Sequence, residues 1–290
     1  MFDVEVILCA YKPEVNILDS VKSVLSQTHH DIKLSVILDG SCNADIKAKL
    51  FAIQSDDRRL NIQSYNENLG LTYRLVEALE LSNATYIGRI DSGDLWHETK
   101  IEKQIETFDS APDIVLVGTQ SHYIKQSLEI LKTSRFPNDH NEITRQLFKN
   151  KGPFEHSSIM FKNIINYRQY FVYAQDHDLY LRASHLGKIV NHSEALTYCV
   201  FNFTGISFEK RILQEKYRRV AILNARYNTS TPLKPPVQSR LSKYTWKICK
   251  PIYRRYIESS FQEKKIRGYL YLLICCLINY DLALIYLRRF

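Results

Sequence analysis

Through its first third the chain alternates short apolar runs with segments whose apolar positions recur every three or four residues. Val4-Glu5-Val6-Ile7-Leu8-Cys9-Ala10 is mostly apolar and closes on Tyr11-Lys12-Pro13, the pattern of a central strand. Ile17, Leu18, Val21, Val24 and Leu25 fall at helical spacing, and a second strand-like run, 32–38, ends in Asp39-Gly40-Ser41. Strand, helix, strand predicts a right-handed βαβ unit with parallel pairing. Residues 46–51 predict another helix, 60–65 a short strand, and 71–81 a helix entered through the polar loop Asn66-Glu67-Asn68-Leu69-Gly70. The run 86–90 then predicts a buried strand that stops on Asp91-Ser92-Gly93-Asp94. This order implies an α/β fold: an open, mostly parallel, Rossmann-like sheet flanked by helices and able to bind a nucleotide.

The acidic turn is the centre of the chemistry. In open α/β sheets ligands bind outside the carboxyl ends of the strands. Two carboxylates there suit a divalent cation, Mn²⁺ or Mg²⁺, bridging a diphosphate through hard oxygen ligands. Taken alone, such a turn is more often a solvated loop. No G-x-G-x-x-G follows the first strand and no G-x-x-x-x-G-K-S/T occurs, which disfavours a dinucleotide-binding Rossmann domain and a P-loop ATPase.

Composition adds a bias. The net charge of +8 over 290 residues points to an anionic partner, and the basic residues crowd the C-terminal third. That distribution fits acidic lipid better than a nucleic-acid groove, so no nucleic-acid partner is expected. The six cysteines show no metal-ligand spacing, and no signal peptide is evident, so the expected setting is cytoplasmic with reduced thiols.

Several segments in order resemble family 2 glycosyltransferases of the nucleotide-diphospho-sugar transferase (GT-A) fold. They are the first strand ending at Ala10-Tyr11, the run Asn68-Leu69-Gly70-Leu71-Thr72, the stretch 86–94, Pro153 through His156-Ser157-Ser158 to Phe161, and Ala174-Gln175-Asp176-His177-Asp178. The match covers roughly Val4 to Ser207, with Thr204-Gly205-Ile206-Ser207 as its last piece. The resemblance implies an inverting, metal-dependent transferase acting on a nucleotide-sugar donor, with uridine the usual base. Its acceptor would be a saccharide or lipid-linked, as in assembly of O-antigen or capsule at the inner face of the cytoplasmic membrane.

Carried over residue by residue, the resemblance places Ala10, Tyr11, Asp39, Asn68, Arg89 and Asp91 at the donor, Asp91 and Asp94 at the metal, and Asp176 as catalytic base. His156 and Gln175 fall toward the acceptor or diphosphate. A lone His beside two serines reads equally as structural, Arg89 equally as a salt-bridge partner, and Asp178 is an alternative helix cap. The stretch 153–161 is expected to be a strand bordering the acceptor. The chain departs from the family's pattern at Gly93, where an acid is usual, and at Leu38, where the family has a second Asp. It also lacks an Arg or His in Tyr198-Cys199-Val200, a contact the basic C-terminal region would have to replace.

The expected organisation is a catalytic domain over 1–207 and a helical, basic and aromatic extension over 208–290, with a Pro-bearing linker at 228–239. The uncharged run 268–280 is shorter than the ~20 residues of a spanning helix. It reads either as an interfacial helix at the membrane surface or as a helical hairpin packed on the domain or across a homodimer. Two other functions remain in view: a catalytically silent relative acting as a scaffold, and a nucleotidyltransferase, which would normally bring a Gly-rich, basic loop after the first strand.

Overall fold

A computed structural model describes residues 2–200, 210–227, 233, 248–249, 251–255, 271 and 273–276. The chain divides into two compact units, Met1–Phe201 and Asn202–Phe290. In the second, the described residues form a helix, α7, over Arg211–Tyr227, and helical turns at 248–249, 251–255 and 273–276. The Thr204–Ser207 piece, the linker except Leu233, and most of the run 268–280 lie outside the described residues. Among the described residues no helix is long and apolar enough to cross a membrane.

The first unit is built on one nine-stranded sheet. Strands β1 (Val4–Ala10), β2 (Ile32–Asp39), β3 (Leu60–Tyr65) and β4 (Tyr86–Arg89) lie in the order β3-β2-β1-β4, all parallel. Helices α1 (Ile17–Leu25), α2 (Ala44–Asp56) and α3 (Leu71–Leu81) make the crossovers. β1 is buried along its whole length, which explains its near-continuous apolar sequence. One face of β1 and β2 (Val4, Val6, Leu8, Leu34, Val36, Leu38) packs against Ile17, Val21 and Val24 of α1 and Ile46 and Leu50 of α2.

Beyond β4 the sheet becomes mixed. β8 (Met160–Lys162) runs antiparallel to β4 and to β6 (Ile114–Ile124), and β6 pairs in parallel with the long β9 (Lys188–Val200). β5 (Leu95–Trp96) closes the far edge on β9, and β7 (Ile130–Thr133) forms a hairpin with β6. Three more helices, α4 (Lys100–Ser110), α5 (His140–Phe148) and α6 (Gln175–Leu186), complete the unit.

The stretch expected as a strand over 153–161 is different. His156–Ser158 is a 3₁₀ turn and only Met160–Lys162 pairs. The turn forms because Ser158 N–H and Oγ–H both donate to Glu155 O, at 3.0 and 2.8 Å. Topology then locates the crevice. The strand order reverses between β1 and β4, and at such a switch point the loops leave their carboxyl ends in opposite directions.

Candidate active site

The crevice is walled by three segments that Gly40 draws together. Gly40 adopts φ +100°, and a β-carbon there would meet Asn68 Cβ at 3.2 Å and Tyr11 Cε2 at 3.4 Å. The ends of β1 and β2 and the loop before α3 therefore form one mouth. Tyr11 is 53% exposed, and Asn68 is exposed beside it. Lys12, which sequence reasoning passed over, holds a left-handed φ of 48° with its ammonium 5.2 Å from the Tyr11 ring centre. Ala174 is left-handed too (φ 53°), immediately before Gln175 and Asp176. Non-glycine residues held at positive φ concentrate at functional sites.

Two expected donor contacts lie beneath this surface instead. Asp39 is 3% exposed and its carboxylate is engaged throughout. It accepts from Leu69 N–H (3.0 Å), Gly70 N–H (2.8 Å) and Arg74 Nε (2.8 Å). Its work is to hold the Asn68 loop and the start of α3, with Arg74 stacked 3.5 Å over the Tyr65 ring. Arg89 is 1% exposed and reaches the crevice only through its ion pair with Asp91.

Asp91 follows β4 level with the end of β1, because Ile90 N–H donates to Ile7 O at 3.3 Å. Its side chain is half-exposed. Burial works against the Asp91 carboxylate, but the Arg89 guanidinium and then His156 oppose it and hold the pKa below the usual range. Asp94, partly buried, behaves oppositely. Burial first and the Asp91 charge second push it up to about 7. Its Oδ2 accepts from Ser157 Oγ–H and its Oδ1 from Val200 N–H at 2.9 Å.

Two carboxylates close enough to disturb each other's ionisation, one still half-exposed, are a donor set a divalent cation would relieve. Among the described residues no three His, Cys, Asp or Glu side chains gather around a common point, so phosphate oxygens and water would complete such a shell. Gly93 itself is conformational. Its φ is +98°, and a β-carbon would come 2.7 Å from Asn16 Nδ2. Gly93→Asp, which restores the usual family acid, is therefore expected to lower stability by roughly 1 kcal/mol or more. A urea midpoint at the wild-type value would show that the turn relaxes.

The raised Asp94 pKa carries a sign. Between 3.8 and about 7 the unfolded chain has released a proton that the folded protein retains. Through this group stability is thus full below the lower value and declines as pH rises to the upper one. Asp94→Asn is expected to flatten the pH profile of urea unfolding in that window; an unaltered slope would assign the proton elsewhere.

Asp176 is the second residue of α6, in its first turn and partly buried. Neither it nor Asp178 caps the helix; Ala174 stands at the N-cap with no side-chain bond. Asp178 is structural: it is 2% exposed and bonds Arg182 Nε at 2.8 Å. The charges of Asp91 and Asp176 both act on His156 and on Tyr167, so both carboxylates lie near the same pair of side chains. His156 Nε2 lies 2.8 Å from Tyr167 Oη, and burial, then Arg89, push its pKa down to about 4, leaving a neutral ring. Gln175, partly buried, opens α6 beside Asp176.

Sequence reading missed Tyr167 and Tyr180, because a Tyr in an apolar segment reads as core. Tyr180 is 2% exposed, packs on Phe154 at 4.9 Å, and has a hydroxyl with no hydrogen-bond partner among the described residues. Burial first and Asp176 second push its pKa well up.

Known structures share this architecture. Staphylococcus aureus TarS 1-349 in complex with UDP superposes with a TM-score of 0.57 at 13% identity, covering 93% of this chain and 89% of that one. The mannosyltransferase PcManGT from Pyrobaculum calidifontis, in complex with GDP-Man and Mn²⁺, gives 0.55 at 13% identity, covering 98% and 78%. The fold is thus that of the GT-A nucleotide-diphospho-sugar transferases.

In sequence, the O-antigen biosynthesis glycosyltransferase WbnJ of Escherichia coli is 30% identical over 207 residues, 69% of this chain and 78% of WbnJ. An uncharacterized glycosyltransferase of Haemophilus influenzae is 28% identical over 208 residues, which span 67% of this chain and 64% of that relative's length. The glycosyl transferase family 2 pattern matches residues 5–169. The chain belongs to glycosyl transferase family 2.

Proposed function

We propose that this protein is an inverting glycosyltransferase that moves a sugar from a nucleoside diphosphate, with uridine as the expected base, to a saccharide or lipid-linked acceptor in surface-polysaccharide synthesis. The observation that supports the reading is that Asp91, which follows β4, and Asp176, in the first turn of α6, both lie near His156 and Tyr167. The curated names of relatives support the setting: O-antigen biosynthesis for WbnJ and amylovoran biosynthesis for AmsE of Erwinia amylovora, 30% identical over 181 residues. TarS in complex with UDP-GlcNAc, at a TM-score of 0.57, supports a uridine donor.

Tyr11 and Asn68, with the Ala10 backbone, receive the nucleoside at the exposed mouth. Asp91 and Asp94 would hold the divalent cation, which when bound offsets the charge growing on the diphosphate. Asp176 accepts the proton of the acceptor hydroxyl as its oxygen bonds to the anomeric carbon. The bond from that carbon to the phosphate oxygen breaks on the opposite face, and the nucleoside diphosphate leaves with the electron pair. His156 and Gln175 line the acceptor side, and neutral His156 can hydrogen-bond a sugar hydroxyl. Arg89 acts from below, fixing the Asp91 carboxylate.

The test is calorimetric titration of UDP with Mn²⁺ and with EDTA, on wild type and Asp91→Ala. Binding that needs metal and disappears in the variant supports the donor site. No heat with UDP, GDP, CDP or dTDP would overturn the enzyme and favour the silent scaffold, the reading to which Gly93, Leu38 and the absence of Arg or His in Tyr198-Cys199-Val200 lend support.

A further inference from the structure

Gly93 removes one acid from the turn, and the structure contains what stands in for it. Ser157, 1% exposed on the 3₁₀ turn, has a hydroxyl that bonds the Asp91 backbone and the Asp94 carboxylate. Its Oγ accepts from Asp91 N–H at 2.8 Å, so its own proton is directed at Asp94 Oδ2, to which it donates. The hydroxyl is thereby oriented, with one partner on each side of Gly93.

The turn that presents Ser157 is itself clamped by its carbonyls. Trp96 Nε1–H donates to Ser157 O at 2.8 Å, and Gln104 Nε2 donates to Ser158 O at 3.0 Å and to Val117 O at 2.7 Å. Gln104 is in turn fixed by Lys100 Nζ on its Oε1 at 2.7 Å, with that amine 3.7 Å from the Trp96 ring centre. Lys100, Gln104 and Ser158 have no exposed surface, and Trp96 is 4% exposed. A buried lysine is costly to place, and burial drives its pKa well below the ordinary value. Here it serves a chain of hydrogen bonds running from α4 to the acidic turn.

We infer that Ser157 is a positioning residue that joins Asp91 and Asp94 into a single cation-holding unit, taking the place of an acid at position 93. The inference rests on the proposed donor site, and it concerns residues 61 or more positions from their partners in sequence. Without the hydroxyl, the Asp94 carboxylate keeps, among the described residues, only the Val200 N–H and can turn from Asp91. Outer partners of metal-holding residues typically contribute about 10–100-fold to metal affinity.

The test measures free Mn²⁺ by electron paramagnetic resonance as UDP is added, on wild type, Ser157→Ala, Ser157→Thr and Trp96→Phe. Ser157→Ala is expected to weaken Mn²⁺ retention about 10–100-fold, with Ser157→Thr recovering most of it through its hydroxyl. Trp96→Phe, which frees Ser157 O, is expected to show a smaller loss and serves if Ser157→Ala does not fold. A purely structural serine would lower the melting temperature in Ser157→Ala and leave Mn²⁺ affinity at the wild-type value. That result, or equal losses in Ala and Thr variants, overturns the inference while the donor site stands. Wild-type protein that retains no Mn²⁺ with UDP, GDP, CDP or dTDP overturns both.

Discussion

Asp176→Asn is expected to lower the rate of sugar transfer by about 10²–10⁴-fold, the usual contribution of a positioned general base. The amide keeps the shape of the carboxylate and cannot take the acceptor's proton. Asp176 suits the role because its surroundings leave it available. It is partly buried in the first turn of α6, and no hydrogen bond to its carboxylate is found among the described residues, whereas Asp178 two positions on is spent on arginines. UDP affinity should be unchanged, since the residues proposed to receive the nucleoside lie at the end of β1 and in the loop before α3. Steady-state kinetics with calorimetry of UDP separates the two effects. A full rate in Asp176→Asn would move the base, with Glu155, hydrogen-bonded to Tyr123 Oη, the next carboxylate to test.

Asp91→Asn is expected to abolish metal-dependent donor binding and to destabilise the protein as well. Removing one partner of a buried ion pair typically costs 3–5 kcal/mol. The outer half of Asp91 meets solvent, so the expected cost is lower, roughly 1–3 kcal/mol. What makes the effect large is Arg89, which has 1% exposure and a Nε with no hydrogen-bond partner among the described residues. The double change Asp91→Asn with Arg89→Met removes the stranded charge, and should recover stability without recovering binding. Urea unfolding of the single and double variants, read beside UDP titration, checks both halves. Equal stability of wild type and Asp91→Asn would mean that Arg89 finds another partner.

β1 and β2 were legible because they are buried almost throughout and read as apolar runs with a helical spacing between them, and β1 was expected at its observed bounds. β6 escaped notice for a physical reason. Its middle, Gly118-Thr119-Gln120-Ser121, is polar yet buried, and its partners are far off in sequence: Thr119 Oγ1 lies 3.0 Å from Thr197 Oγ1, and Gln120 Nε2 donates to Phe136 O at 2.9 Å. The apolar run Ile114–Val117 opens the strand, but its polar middle shows neither alternation nor an apolar run.

The site divides in the same way. Asp91, Asp94 and Asp176 stand out because they close recognisable segments. Asp39 looked like a free carboxylate because the groups that occupy it come from residues 69, 70 and 74. Ser157 looked like a small residue beside a His, since its two partners lie across the sheet.

Two side chains from outside the segment 163–174, between β8 and α6, hold it by its backbone carbonyls. Thr72 Oγ1–H donates to Phe171 O at 3.0 Å, and Arg182 Nη2 donates to Asn166 O at 2.7 Å. A carbonyl is the same whichever side chain its residue carries. Ile164, Tyr170 and Val172 are 61%, 41% and 54% exposed, so their replacement disturbs little packing. Those three positions can therefore change while Thr72 and Arg182 keep the path of the segment.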